Sequence, residues 1–109
     1  MARQPDTLQG TLDLLILKTL HSGPNHGFGI SQHIQAVSDG SLCVEEGSLY
    51  PALHRLERDK VIKGKWQTTE NGRRARAYEI TKAGLKRLSE TEQRWDVLAR
   101  SIAKILRYA

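Results

Sequence analysis

The chain has 109 residues, 39% of them hydrophobic, and a formal net charge of +5 at pH 7. That length holds one domain with a modest core and excludes two. No apolar run approaches the roughly 20 residues of a membrane span, and MARQPDTLQG lacks a signal-peptide core, so a cytoplasmic protein with no membrane partner is expected.

Residues 7–21, TLQGTLDLLILKTLH, predict a first helix with Thr7 as its N-cap. Leu8, Leu12, Leu15, Ile16 and Leu20 form one apolar stripe at helical period, while Leu14 and Leu17 lie on a different side. A helix apolar on two sides needs two surfaces to pack against. Gly23-Pro24 ends it. A second helix is expected over about 26–37, with Ile30, Ile34 and Val37 inward and Phe28 packing at its start. In SDGSLCVEE, turn residues give way to Leu42 and Val44 in alternation, which predicts a short strand. Cys43, between them, reads as a small core or strand residue. As the only cysteine it excludes an internal disulfide and a cysteine-based zinc site. His21, His26, His33 and His54 show no ligand spacing, so neither a metal nor a cofactor is expected.

The third helix contains a proline. Residues 45–59 read EEGSLYPALHRLERD, and Leu49, Leu53 and Leu56 have helical spacing. Proline lacks the N–H that a helix interior needs and is tolerated near the first turn, where amides have no partner within the helix. The helix should therefore start within a few residues of Gly47 and Ser48 and end near Asp59 or Lys60. Opposite its leucines lie Tyr50, Pro51, His54, Arg55 and Arg58, with Ser48 at the edge.

VIKGKWQT and RAYEIT read as two strands around TENGRR. Asn71-Gly72 favours a tight hairpin turn, because both residues tolerate positive φ. Trp66, Tyr78 and Ile80 should face the core, and Lys63 and Lys65 should face away. The charge is concentrated here: residues 60–76 hold Lys60, Lys63, Lys65, Arg73, Arg74 and Arg76 against Glu70 alone, and the remainder of the chain sums to zero. A localised polyanion contact and a merely solvated basic hairpin both fit that pattern.

The last segment, 81 to about 108, has no proline, and its only glycine is Gly84. Leu85, Leu88, Glu92, Trp95, Ala99, Ile102 and Leu106 fall on heptad a and d positions. Such a helix would be roughly 40 Å long, too long to bury its seam in a domain whose radius of gyration is about 13 Å. A homodimer is the simplest source of a partner for the seam, with help from Leu14 and Leu17 of the first helix. The dimer residues expected are Leu14, Leu17, Leu88, Trp95, Ala99, Ile102 and Leu106.

Helix, helix, short strand, helix, hairpin, long helix is mainly α with a small β-wing: a winged helix-turn-helix over residues 1–80, followed by a long dimerisation helix over 81–109. In that fold the third helix enters the DNA major groove and the wing reaches the flanking backbone. The same residues carry a resemblance. EEGSLYPALHRLERD, IKGKW, ENGRRARAYEITKAG, GTLDLLILKTL and HGFGI resemble the PadR family of transcriptional regulators, in its compact branch. The resemblance implies a dimeric, non-enzymatic repressor on a palindromic operator, able to respond to a small, often aromatic effector. It matches Ser48, Tyr50 and Pro51 to the recognition-helix signature, Arg73 and Arg74 to the basic wing, and Trp95 to an aromatic of the dimer-forming helix. Three positions depart from it: Lys60 stands where Gly is usual, Phe28 where Tyr is common, and Ala77 where an aromatic is frequent.

The expected contacts with double-stranded DNA are thus Ser48, Tyr50, Pro51, His54, Arg55, Lys65, Arg73, Arg74 and Arg76. Tyr50 has a second reading as a half-buried packing ring, His54 as a solvated side chain, and Arg55 as the partner of a nearby acid. Trp95 is the candidate effector contact, beside its reading as a packed seam residue. An enzyme would need a nucleophile–base pair or clustered carboxylates, which the sequence does not offer. A winged-helix module for protein–protein or RNA contact is the alternative. The His and Arg beside Tyr on the exposed face of the third helix argue for DNA.

Overall fold

Three helices fold their apolar stripes together, and a hairpin and a long helix follow. The computed structural model describes the backbone of residues 7–108 and the side chains of 10–108. The order is α1 (Thr7–His21), β1 (Asn25–His26), α2 (Gly27–Val37), α3 (Glu46–Arg58), β2 (Ile62–Thr68), β3 (Arg74–Ile80) and α4 (Lys82–Tyr108). The Thr7 cap and the inward Leu8 lie outside the described side chains. Ile16, Leu17 and Leu20 of α1 meet Ile30 and Ile34 of α2 and Leu49, Leu53 and Leu56 of α3 in one core, closed by Val61, Ile62, Tyr78 and Leu88.

This core corrects part of the expected seam. Leu14, Leu17 and Leu88 are buried within the chain itself, because α1 lies at the centre of the helical layer and needs an apolar surface on both sides. Val37, expected inward, is exposed at the last turn of α2.

The expected strand at 42–44 does not form. The Ser38 hydroxyl accepts the Leu42 N–H at 3.0 Å, and the Ser31 hydroxyl donates to the Val44 carbonyl at 3.2 Å. Local side chains thus occupy backbone groups that a sheet neighbour would need. Leu42 and Cys43 are exposed, so Cys43 is no core residue. The third strand is instead β1, with order β1-β3-β2, all antiparallel, pairing Asn25 with Tyr78 and His26 with Ala77.

In the hairpin, Trp66 pairs with Arg76 and Gly64 with Tyr78. Its loop is longer than a two-residue turn: the Gly72 N–H bonds the Thr69 carbonyl, and only Gly72, at φ 79°, uses the left-handed region expected of both Asn71 and Gly72. At the end of α3, Lys60 takes φ 63°. The Val61 N–H bonds the Leu56 carbonyl and the Lys60 N–H bonds the Glu57 carbonyl. This is a Schellman closure, with lysine in the place that glycine usually fills.

The Thr81 hydroxyl donates to the Lys60 carbonyl at 2.8 Å and accepts the Gly84 N–H at 3.1 Å, capping α4. Gly84 itself is pressed on α3's exit: a Cβ there would stand 2.1 Å from the Val61 carbonyl oxygen. From this anchor α4 runs 27 residues, roughly 40 Å, and stretches the molecule to 56 × 29 × 27 Å. Leu88 and a Lys18–Glu92 ion pair at 3.2 Å tie its first half to α1. Further along, Trp95, Leu98, Ile102, Ile105 and Leu106 are exposed.

Candidate nucleic-acid interface

Helix α3 starts at Glu46, so Pro51 is its sixth residue and stands just inside the second turn. Having no N–H, it leaves the Gly47 carbonyl without the amide four residues on, a loss confined to the exposed side. No side chain caps the amino end. Glu45 and Glu46 lie there, exposed, so their own carboxylates complement the helix dipole. The end is therefore a poorer phosphate seat than free amides alone would make.

On the outer face of α3, Ser48, Pro51 and His54 are exposed, and Tyr50 is 38% exposed. The Tyr50 ring leans toward the start of α2: a Cβ on Gly27 would lie 2.7 Å from its hydroxyl oxygen. Tyr50 is thus both a packing ring and an accessible one. Beside it opens a cleft of about 630 Å³ between α2, α3 and the wing, lined among others by Phe28, Tyr50, His54, Trp66, Arg74 and Arg76. The structure therefore brings the outer face of α3 and one face of the wing to a common opening.

Several expected residues sit otherwise. Arg55 points to the flank, where its Nη2 bonds Asp13 Oδ1 of α1 at 2.5 Å, and both side chains are largely covered. It is an interhelical tie, because its position lies between the buried leucine stripe and the exposed face. Burial raises the Asp13 carboxyl above its usual 3.8, against the hydrogen bond and charge of Arg55, which lower it. Arg76 is held by Glu57 of α3, and that hydrogen bond favours its charged form. Burial raises the Tyr78 hydroxyl, and the nearby Arg76 opposes the shift. Arg73 and Arg74 are exposed on the wing tip as expected. Lys65 is exposed too, but one step from Trp66 along β2 it projects from the opposite strand face.

Two cleft residues escaped the sequence reading. Trp66, expected in the core, is 56% exposed, with the Arg74 guanidinium 4.9 Å from its ring centroid. The alternation is right, since Ile62, Gly64 and Trp66 share a face, but by Trp66 the strand has run past the core. Phe28, expected to pack, is 60% exposed. Its two glycine neighbours were a usable signal: Gly27 and Gly29 are the sites that Tyr50 and Asn25 approach, which turns Phe28 outward. Ala77, opposite His26 and Lys65, is buried without an aromatic.

Three helices with a hairpin wing beside the third form a winged helix-turn-helix, a class of DNA-binding protein. Residues 16–90 match the transcriptional regulator PadR-like family. A transcriptional regulator of Mycobacterium tuberculosis is 36% identical over 84 residues, 75% of each chain. Among solved structures, a transcriptional regulator from Clostridium thermocellum superposes with a TM-score of 0.82 at 31% identity, covering 91% of this chain and 96% of that one. A PadR-like transcriptional regulator from Bacillus cereus gives 0.76 at 29% identity, covering 91% and 94%. The chain belongs to the PadR-like family of transcriptional regulators, which act by binding DNA and are not enzymes. Among the described residues no helix is long and apolar enough to cross a membrane.

Proposed function

We propose that this regulator is a cytoplasmic homodimeric repressor that binds an inverted-repeat operator. One observation carries the dimer: Trp95, Leu98, Ile102, Ile105 and Leu106 form an exposed apolar series on the half of α4 beyond the Lys18–Glu92 tie. A second copy of α4 is the natural cover for a helical seam of this kind. Residues 1–80 are then the reading unit and 81–109 the pairing unit. Twofold symmetry would set two α3 helices on half-sites about one helical turn apart, 10–10.5 bp or a multiple. Ser48, Tyr50, Pro51 and His54 read the groove, and Arg73 and Arg74 supply phosphate contacts. Trp95, Ala99, Ile102 and Leu106 form the pairing surface.

A flat small-molecule effector is assigned to the neighbourhood of Trp95, which borders hollows of about 610 and 340 Å³ on its two sides, against α1. Selection of duplexes from random sequence, followed by gel shift over a salt series, tests the reading. An enriched inverted repeat with steeply salt-dependent affinity is the expected result. Equal, weak binding to all duplexes would favour the protein- or RNA-contact alternative.

A further inference from the structure

A ladder of side chains runs along one face of the wing and ends on α3. The Arg74 guanidinium lies 4.9 Å from the Trp66 ring centroid, and the Arg76 guanidinium lies 5.6 Å from it and 5.9 Å from that of Tyr78. Arg76 Nη2 then donates to Glu57 Oε2 of α3 at 2.5 Å, and each of these two side chains is 30% exposed. Gly64 provides the room: a Cβ there would stand 2.6 Å from Arg76 Nε.

By charge, Glu57 is out of place. It is a carboxylate in the wall of the cleft, on the surface that the proposed function turns toward a polyanion, where it repels phosphate. Its partner Arg76 donates from Nη2 to that carboxylate and holds its guanidinium near both the Trp66 and the Tyr78 ring. Stacking and ion pairing hold a guanidinium better in combination than either does alone.

We propose that Glu57 and Arg76 are positioning residues that set the angle between α3 and the wing, so that Arg73 and Arg74 reach phosphate while α3 lies in the groove. The role rests on the DNA-binding reading above, and it removes Arg76 from the phosphate contacts expected of it. Glu57 then aids binding despite its sign, because without it the wing would have to be ordered at the moment of DNA contact.

The first arm of the test needs no DNA. In Glu57→Gln, and in Gly64→Ala, which keeps every charge, amide exchange around residues 64–66 and 76–78 should be about tenfold faster, with α1 unchanged. Unchanged exchange in the wing would overturn the proposal. The second arm measures anisotropy with a duplex selected on the unmodified protein and a scrambled duplex of equal length. Gly64→Ala should bind both duplexes about tenfold more weakly, because the wing-tip arginines contact phosphate in either. Glu57→Gln should still weaken binding to the selected duplex although it removes a repelling charge, and Arg76→Met should add no loss to Glu57→Gln. If Glu57→Gln tightens both duplexes, and Arg76→Met lowers the salt slope by about one unit, Arg76 is a phosphate contact and the positioning role is wrong. Failure of the selection to enrich any duplex on the unmodified protein would count against the DNA reading alone, and the exchange arm would still decide whether the pair holds the wing.

Discussion

Arg55 and Asp13 join α3 to α1 through one hydrogen-bonded ion pair, 42 residues apart in sequence. The pair fixes α3, the helix proposed to enter the groove, against the centre of the core. It has a pH signature. Asp13 titrates above the usual carboxylate value because burial outweighs the help from Arg55. A raised folded-state pKa means that the native state holds the proton more tightly than the unfolded chain. Its stabilising contribution is complete below 3.8 and lost as pH rises through the folded value. Measured against Asp13→Asn, which cannot titrate, the unmodified protein should lose relative stability as pH rises through that window. Urea unfolding of both across the acid range checks this, and a relative stability that climbs with pH would contradict it.

Lys60 is the second test. A lysine at φ 63° carries the Cβ penalty of the left-handed region, about 1–2 kcal/mol. Lys60→Gly should raise unfolding stability by about 1 kcal/mol once the greater freedom of the unfolded chain is counted. The denaturant midpoint should rise at constant slope. A fall would mean that the lysine side chain contributes more than its backbone costs.

The basic wing tip yields a prediction about salt. Replacing Arg73 and Arg74 by alanine should weaken all duplexes by a similar factor. The salt dependence should flatten by about one unit for each phosphate no longer neutralised. An unchanged slope would take the wing tip out of the interface.

For the proposed dimer, Ile102 and Leu106 are the points of attack, since both are exposed in the single chain. Changing both to lysine should leave the core intact and shift the sedimenting species to monomer. The unmodified protein sedimenting as a folded monomer at micromolar concentration would end the dimer reading.

Gly84→Ala should destabilise. Its new Cβ would lie 2.1 Å from a backbone oxygen and 2.6 Å from Ile80 Cγ1, and the backbone cannot step aside as a long side chain can. The cost is about 1–3 kcal/mol, set against the roughly 1 kcal/mol that alanine gains over glycine in a helix. Thermal and urea unfolding give the sign.

All four long helices and the hairpin were legible in the sequence, because stripes such as Leu49, Leu53 and Leu56 and the glycine and proline breaks act within a single element. β1 was not: two residues, Asn25 and His26, carry no alternation, and their pairing with β3 is decided by where the sheet edge falls. The 42–44 segment erred the other way, its alternation overridden by the Ser38 and Ser31 hydroxyls. Within the candidate site, Tyr50, His54 and Arg74 could be read from helical spacing and charge. Arg55 could not, because its partner lies on another element. Trp66 failed for a different reason: period gives the face of a strand but not how far the core beneath it extends.

The Lys60–Thr81–Gly84 junction leaves no slack between the exit of α3 and the start of α4. The two helices therefore behave as arms of one elbow. A turn of about 10° at that elbow would swing the far end of α4 by about 7 Å, given a length of roughly 40 Å. In the proposed dimer the same geometry works in reverse. The bearing of one α4 on its mate fixes the separation of the two α3 helices, so half-site spacing is set as an angle at one end of the molecule and read as a length at the other.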